Sequence, residues 1–311
     1  MKYNNILELI GNTPIVKLNR IETRANVYVK LEGKNPAGSV KDRVGAYIIK
    51  EALETGKLKE GMEIVEATSG NTGIGLCMAG AAKNIKVNII MPDNMSVERI
   101  KIMKFLGGNV ILTDGKLGMK GSIDKMNEMV NADPDRYFVA DQFNNPDNPK
   151  IHELTTGPEI WEDTDGKVDV VVAGSGTGGT VCGVAKYLKR KNPDIIIVAC
   201  EPYENSAISK AKGLDVELHP HGIQGIGGGF IPKVTDPDLF DIVERVRTQD
   251  AIAFAKRLAK EEGIMAGISS GCALCGAYQI CQREEMKGKN IVVILPDGAD
   301  KYMSTALFED L

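Results

Sequence analysis

The sequence lacks the features that would carry it to a membrane, a metal or a nucleic acid. Its longest uninterrupted apolar run, Ile74 to Ala82, is nine residues, under half of what spans a bilayer. Acids slightly outnumber bases, 42 against 38, for a net charge of −4; with no long basic run, neither nucleic acid nor an anionic membrane is expected as a partner. Cysteine is sparse, six in 311 residues with no disulfide-dense spacing, which suits a reducing compartment. Cys272 and Cys275 form one C-x-x-C pair, but no second pair and no suitably spaced histidine completes a zinc site, so packing is their expected role and no metal is expected. The opening Met1-Lys2-Tyr3-Asn4-Asn5 leads into no apolar stretch of signal-peptide length, so the expected compartment is the cytoplasm. The length, with 43% apolar residues, favours two domains of ordinary size.

What is present is an alternation of apolar β-rich runs and helical windows. Strands are expected at Ile15–Leu18, Val27–Leu31, Glu63–Glu66, Val87–Met91, Val110–Thr113, Tyr137–Ala140, Val168–Ala173, Ile195–Cys200, Ile242–Arg245 and Ile291–Leu295. Several are continuously apolar, as strands covered on both faces must be. Helices are expected at Val40–Thr55, Thr72–Lys83, Val97–Leu106 and Ala251–Glu262. Strand, helix, strand in this order implies an α/β fold of parallel sheets, two doubly wound lobes with three αβα layers. The polar segment Asp141 to Asn148, with Asn-Pro pairs reaching Pro149, is the clearest break. Ligands of open α/β sheets lie beyond the carboxyl ends of strands, so the chemistry is expected in the cleft between the lobes.

Three loops qualify as its walls, each following a strand and opening a helix. In Asn35-Pro36-Ala37-Gly38-Ser39-Val40-Lys41-Asp42-Arg43, Ser39 as N-cap would place Lys41 in the first helical turn. The positive end of the helix dipole disfavours the charged amine there and suits a nucleophile toward an aldehyde, though a solvated surface lysine fits the position as well. The segment Glu66-Ala67-Thr68-Ser69-Gly70-Asn71-Thr72-Gly73 combines three hydroxyls, a carboxamide and free N–H groups at a helix start, a site sized for a carboxylate. The third loop, Gly174-Ser175-Gly176-Thr177-Gly178-Gly179-Thr180, lets backbone wrap a phosphate. It also satisfies a dinucleotide fingerprint, with Glu201 at the end of the next strand as ribose-binding acid. Of the remaining signals, His152 is expected to be structural, His219 and His221 to edge the cleft, and Glu261-Glu262 to be a solvated helix end.

Together the three loops resemble the pyridoxal-phosphate-dependent cysteine synthases (O-acetylserine sulfhydrylases) of the tryptophan synthase β-like fold. The likeness extends to Ile10-Gly11-Asn12-Thr13-Pro14, Met91-Pro92-Asp93-Asn94-Met95-Ser96, Asp141-Gln142-Phe143-Asn144-Asn145-Pro146, Thr155-Thr156-Gly157-Pro158-Glu159-Ile160-Trp161, Ile223-Gln224-Gly225-Ile226-Gly227-Gly228-Gly229-Phe230, Gly267-Ile268-Ser269-Ser270-Gly271 and Ser304-Thr305-Ala306-Leu307-Phe308. The resemblance implies a smaller mobile lobe at 46–147 and a larger one of 1–45 plus 148–311 that binds the cofactor phosphate. By the same resemblance Lys41 is the Schiff-base lysine and general base. Thr68, Ser69, Gly70, Asn71, Thr72 and Gln142 bind the substrate carboxylate. Asn71 touches the ring oxygen, Gly176, Thr177, Gly178, Gly179 and Thr180 hold the phosphate, and Ser269 partners the pyridine nitrogen.

The implied reaction is β-replacement of the acetyl group of O-acetyl-L-serine by sulfide, giving L-cysteine and acetate through an aminoacrylate. A homodimer, and serine acetyltransferase as a possible partner, are also implied. A close variant would take L-cysteine and release hydrogen sulfide, forming lanthionine or serine; the fingerprint leaves a nicotinamide dehydrogenase as a remoter reading. One departure concerns Asp297, which stands in Leu295-Pro296-Asp297-Gly298 where the family commonly has serine or glycine. Pointed at the ring nitrogen, it would raise the ring's proton affinity.

Overall fold

The computed structural model describes residues 2–309. The ten expected strands are all present as β1 (Ile15–Lys17), β2 (Asn26–Leu31), β3 (Glu63–Ala67), β4 (Val87–Pro92), β5 (Asn109–Thr113), β6 (Tyr137–Val139), β7 (Val170–Gly174), β8 (Ile196–Pro202), β9 (Ile242–Val246) and β10 (Asn290–Leu295). They form a six-stranded sheet of order β1-β2-β10-β7-β8-β9 and a four-stranded sheet of order β5-β4-β3-β6.

The chain divides into two units. The smaller takes the chain up to Ile10 and Asn35–Asp147, and the larger takes Gly11–Lys34 and everything from Asn148. Residues 2–10 and 35–45 thus pack with the smaller unit, whereas the expectation from sequence grouped them with the larger lobe.

The smaller unit carries the four-stranded sheet, parallel throughout. The central strands β3 and β4 are buried at every position, which is why they read as unbroken apolar runs. Because β3 pairs directly with β6, the loops leaving their carboxyl ends, at Thr68 and at Asp141, emerge side by side. Two helices start at the motif loops: the lysine helix, Lys41–Glu54, and the hydroxyl helix, Asn71–Lys83.

In the larger unit alternate residues of each strand feed opposite cores. Val170, Val172, Val198, Ile291 and Val293 pack on one face with the serine helix, Ile268–Cys281. Val171, Ala173, Ile197, Ala199, Val292 and Ile294 pack on the other with the glycine helix, Gly179–Lys191. Both faces are covered, the three-layer arrangement expected. One expectation is corrected: β1 runs antiparallel to β2. The connection from Leu18 to Ala25 is too short for the crossover a parallel pair needs.

Candidate active site

In the smaller unit, Lys41 is the first residue of its helix. Ser39 is not the N-cap; that position is Val40, in helical conformation, and Ser39 Oγ instead accepts the Lys41 backbone N–H at 3.2 Å. The lysine loop is braced by the buried Asp42, whose carboxylate accepts the Ala37 N–H at 2.6 Å and the Ser39 hydroxyl at 3.3 Å. The Lys41 amine is desolvated, which brings its pKa down to about 8. Burial is the physical cause.

The lysine helix lies against the hydroxyl helix through two glycines. A Cβ at Gly45 would meet the Gly75 carbonyl carbon at 2.6 Å, and one at Gly75 would meet the Lys41 carbonyl oxygen at 2.5 Å. Neither was singled out from sequence; their only signal is a glycine inside each expected helix, where it is otherwise unfavourable.

The hydroxyl loop is placed by the end of β3. Thr68 and Thr72 are buried, and Ser69, Gly70 and Asn71 are partly exposed. Thr68 Oγ1 accepts the Gly70 N–H at 3.3 Å. Gly70, the N-cap, has no side chain to close the helix start, and a Cβ there would point into open space. Room at a helix N-terminus is what a bound carboxylate requires. Gln142 comes from the neighbouring strand end: the Thr72 hydroxyl donates to Gln142 Oε1 at 2.6 Å. These expected substrate residues are therefore brought together within one unit.

In the larger unit, β7 runs into Ser175–Gly178 and the glycine helix. Gly178, the N-cap, has φ +75, a conformation natural to glycine. Glycines are required sterically as well, since Cβ atoms at Gly176, Gly178 and Gly179 would strike the Gly225 carbonyl, Thr235 and Asn148. Thr177 is buried; its Oγ1 accepts from Asn148 Nδ2 at 2.9 Å and from the Gly179 N–H at 3.2 Å. Thr180 is partly exposed, and its hydroxyl lies 3.2 Å from Nε2 of the buried His152, whose Nδ1 is 2.8 Å from Thr156 Oγ1. His152 sits in a π-helical stretch, His152–Thr156, a distortion frequent at functional sites. Its place behind a loop hydroxyl was missed; sequence separation hid it.

Ser269 is buried in the first turn of the serine helix. Asp297, just after β10, is buried too, and its Oδ2 accepts the Tyr302 hydroxyl at 2.6 Å. A Cβ at Gly267 would collide with Asp297 Oδ1, so this carboxylate lies against the start of the serine helix.

The remaining signals are structural. Glu201 accepts the Ile208 N–H at 2.8 Å, the Ser209 N–H at 2.9 Å and the Ser209 hydroxyl at 2.5 Å. It caps a helix, and both oxygens are committed, which removes the ribose acid the dinucleotide reading needs. His221 staples the loop at Gly227, with Nδ1 accepting the Ile223 N–H and Nε2 2.8 Å from the Gly227 carbonyl, while His219 is exposed beside Glu217. Glu262 is no idle helix end, since it accepts the N–H groups of Asn19, Arg20 and Ile21. Cys272 and Cys275 are buried free thiols, with burial pushing Cys275 up to about 12 and Cys272 up as well. No cluster among the described residues suits a metal ion, and no helix among them is long and apolar enough to cross a membrane.

The smaller unit carries a desolvated amine and a hydroxyl-rich helix start, and the larger unit a cation-free glycine loop and a buried serine. The donor set fits pyridoxal phosphate: an amine for the aldehyde, N–H and hydroxyl donors for the phosphate, and a buried serine hydroxyl for the ring nitrogen. The class defined is that of pyridoxal-phosphate enzymes acting on amino acids.

The family pattern described as "Pyridoxal-phosphate dependent enzyme" matches residues 6–297, and the chain belongs to that family. It is an enzyme whose cofactor is pyridoxal phosphate. The chain is 51% identical over 305 residues to cysteine synthase A of Salmonella typhi, covering 97% of this chain and 94% of that protein. Among solved structures, O-acetyl serine sulfhydrylase isoform 3 from Entamoeba histolytica superposes with a TM-score of 0.95 at 47% identity, covering 100% of this chain and 93% of that one. A hydrogen sulfide-producing enzyme from Fusobacterium nucleatum superposes with a TM-score of 0.91 at 44% identity, covering 97% and 100%.

Proposed function

We propose that this enzyme catalyses β-replacement on O-acetyl-L-serine, exchanging acetate for sulfide to give L-cysteine. The observation that carries this reading is the desolvated Lys41 amine at the head of a helix locked by Gly45 and Gly75 against the start of the hydroxyl helix. The nearly full-length identity to cysteine synthases supports it.

Lys41 would hold the cofactor through its amine, Gly176, Thr177, Gly178, Gly179 and Thr180 would hold its phosphate, Asn71 its ring oxygen and Ser269 its ring nitrogen. Bound pyridoxal phosphate supplies an electron sink for charge developing at the substrate Cα. Thr68, Ser69, Gly70, Asn71, Thr72 and Gln142 would bind the substrate carboxylate with N–H and hydroxyl donors and so orient the amino acid. Exchanged off the cofactor by the substrate's own amine, the Lys41 amine would take the Cα proton as general base and return it to Cα before the product leaves; a pKa near the working pH suits both transfers. A neutral hydroxyl at Ser269 leaves the ring a modest electron sink, which favours prompt departure of a β-substituent.

A second reading is favoured by the likeness to the hydrogen sulfide-producing enzyme, namely L-cysteine as first substrate with sulfide as leaving group. One assay separates the two. The purified protein should be yellow and form L-cysteine and acetate from O-acetylserine and sulfide; rapid sulfide release from L-cysteine with negligible synthesis would overturn the assignment.

The enzyme is proposed to act as a homodimer in the cytoplasm, with serine acetyltransferase as a possible partner. Support for the dimer comes from Phe105, 92% exposed. It borders an apolar groove of about 570 Å³ with Ile6, Pro36, Ala37, Met78 and Ile102, an opening that a second copy would cover.

A further inference from the structure

Glu66 has no part in the chemistry above, yet it is a buried carboxylate at the end of β3, next to the hydroxyl loop. Its Oε2 accepts the Asp141 N–H at 2.7 Å and its Oε1 the Gln142 N–H at 3.3 Å. Asp141 is one of four non-glycine residues with positive φ among the described residues, at 53, a backbone state that persists only when its surroundings enforce it. The Gln142 side chain also bonds to Glu66, while its oxygen accepts the Thr72 hydroxyl. The hydrogen bonds to Glu66 thus come from N–H donors, with the Asp141 charge nearby, and Gln142 is held from both sides.

Resting on the carboxylate-site reading above, we propose that Glu66 is a positioning residue. Its ionised carboxylate clamps the Asp141–Gln142 backbone so that Gln142 and Thr72 are set for the substrate carboxylate, and protonating it releases the clamp. Protonation removes the negative charge that strengthens these bonds and turns one acceptor site into a donor, so the protonated form holds the Asp141 and Gln142 N–H groups more weakly. Burial pushes Glu66 up to about 7, with the backbone N–H groups of Asp141 and Gln142 opposing and the nearby Asp141 charge adding to the rise. The clamp is thus poised to open and close near neutrality.

Other charges around it are engaged elsewhere. Glu63, on the same strand, pairs with Arg136 and Lys86. The helix Gly118–Ala132, packed on this sheet, pairs Lys120 with Asp124 and Lys125 with Glu128. On β4 the register partner of Glu66 is Ile89.

The test is the pH dependence of KM and kcat for O-acetylserine in wild type and Glu66→Gln holoenzyme. In the wild type KM should fall as pH rises from 6 to 8. In the variant KM should be raised about tenfold and flat with pH, with kcat within about threefold, a charge-assisted bond being worth roughly that factor. Gln142→Ala, which removes the arm that Glu66 aims, should flatten the same profile and serves if Glu66→Gln does not fold. An unchanged KM profile in both variants overturns the proposal. So does tighter binding at low pH that Glu66→Gln abolishes, because that would make Glu66 a repelling charge. Should the wild type make no cysteine, the proposed function fails on its own account. The same pH comparison, made on L-alanine binding by holoenzyme absorbance, then decides for or against Glu66.

Discussion

Gly75 presses its bare Cα face against the carbonyl of Lys41, with a Cβ at that position falling 2.5 Å from the oxygen. The helix of the proposed Schiff-base lysine and the helix that opens the proposed carboxylate site therefore share one close contact. Gly75→Ala is expected to force the two helices apart, costing about 1–3 kcal/mol as overpacking. Thermal denaturation of the holoenzyme should show a lower Tm, and activity should fall at least about tenfold through misplacement of the reacting groups. A variant with wild-type Tm and turnover would contradict the close packing.

Burial brings the Lys41 amine down to about 8, so in apoenzyme the neutral, nucleophilic form predominates above that pH. The rate of cofactor capture by apoenzyme, followed by absorbance, should rise with pH and level off just above 8. A rate still climbing toward the ordinary lysine range, 10.5, would show that the amine is solvated.

Glu66 makes a thermodynamic prediction separate from its effect on KM. The folded protein holds the Glu66 proton up to about 7, while an unfolded chain releases it near 4.5. The folded state is therefore favoured below 4.5 and loses that advantage as pH rises to 7. Relative to wild type, Glu66→Gln should gain about 3 kcal/mol of stability between pH 4.5 and 8. Denaturant titrations at both pH values measure the gap, and a gap independent of pH would contradict an ionising buried carboxylate.

The strands and the three loops were legible because their cause is local: continuous apolar runs mark strands covered on both faces, and clustered glycines and hydroxyls mark helix starts. The antiparallel β1 was not, since direction follows from connection length and not from composition. Ser39 was misplaced by one residue because helix ends depend on backbone angles that a cap motif alone does not specify. Glu201, Glu262, His152 and Glu66 share another limit. Each acts on backbone or hydroxyl groups brought near by folding, so spacing along the chain carries no trace of the partner. Gly45 and Gly75 were not singled out, because what they admit is a neighbouring helix that only the packing shows.

The central claim is that pyridoxal phosphate is carried on the amine of Lys41. Hydride reduction of the yellow holoenzyme, followed by peptide mass spectrometry, tests it directly. The account predicts a pyridoxyl label on the peptide containing Lys41, with bleaching of the colour and loss of activity. A label on another side chain, or no label at all, would contradict it.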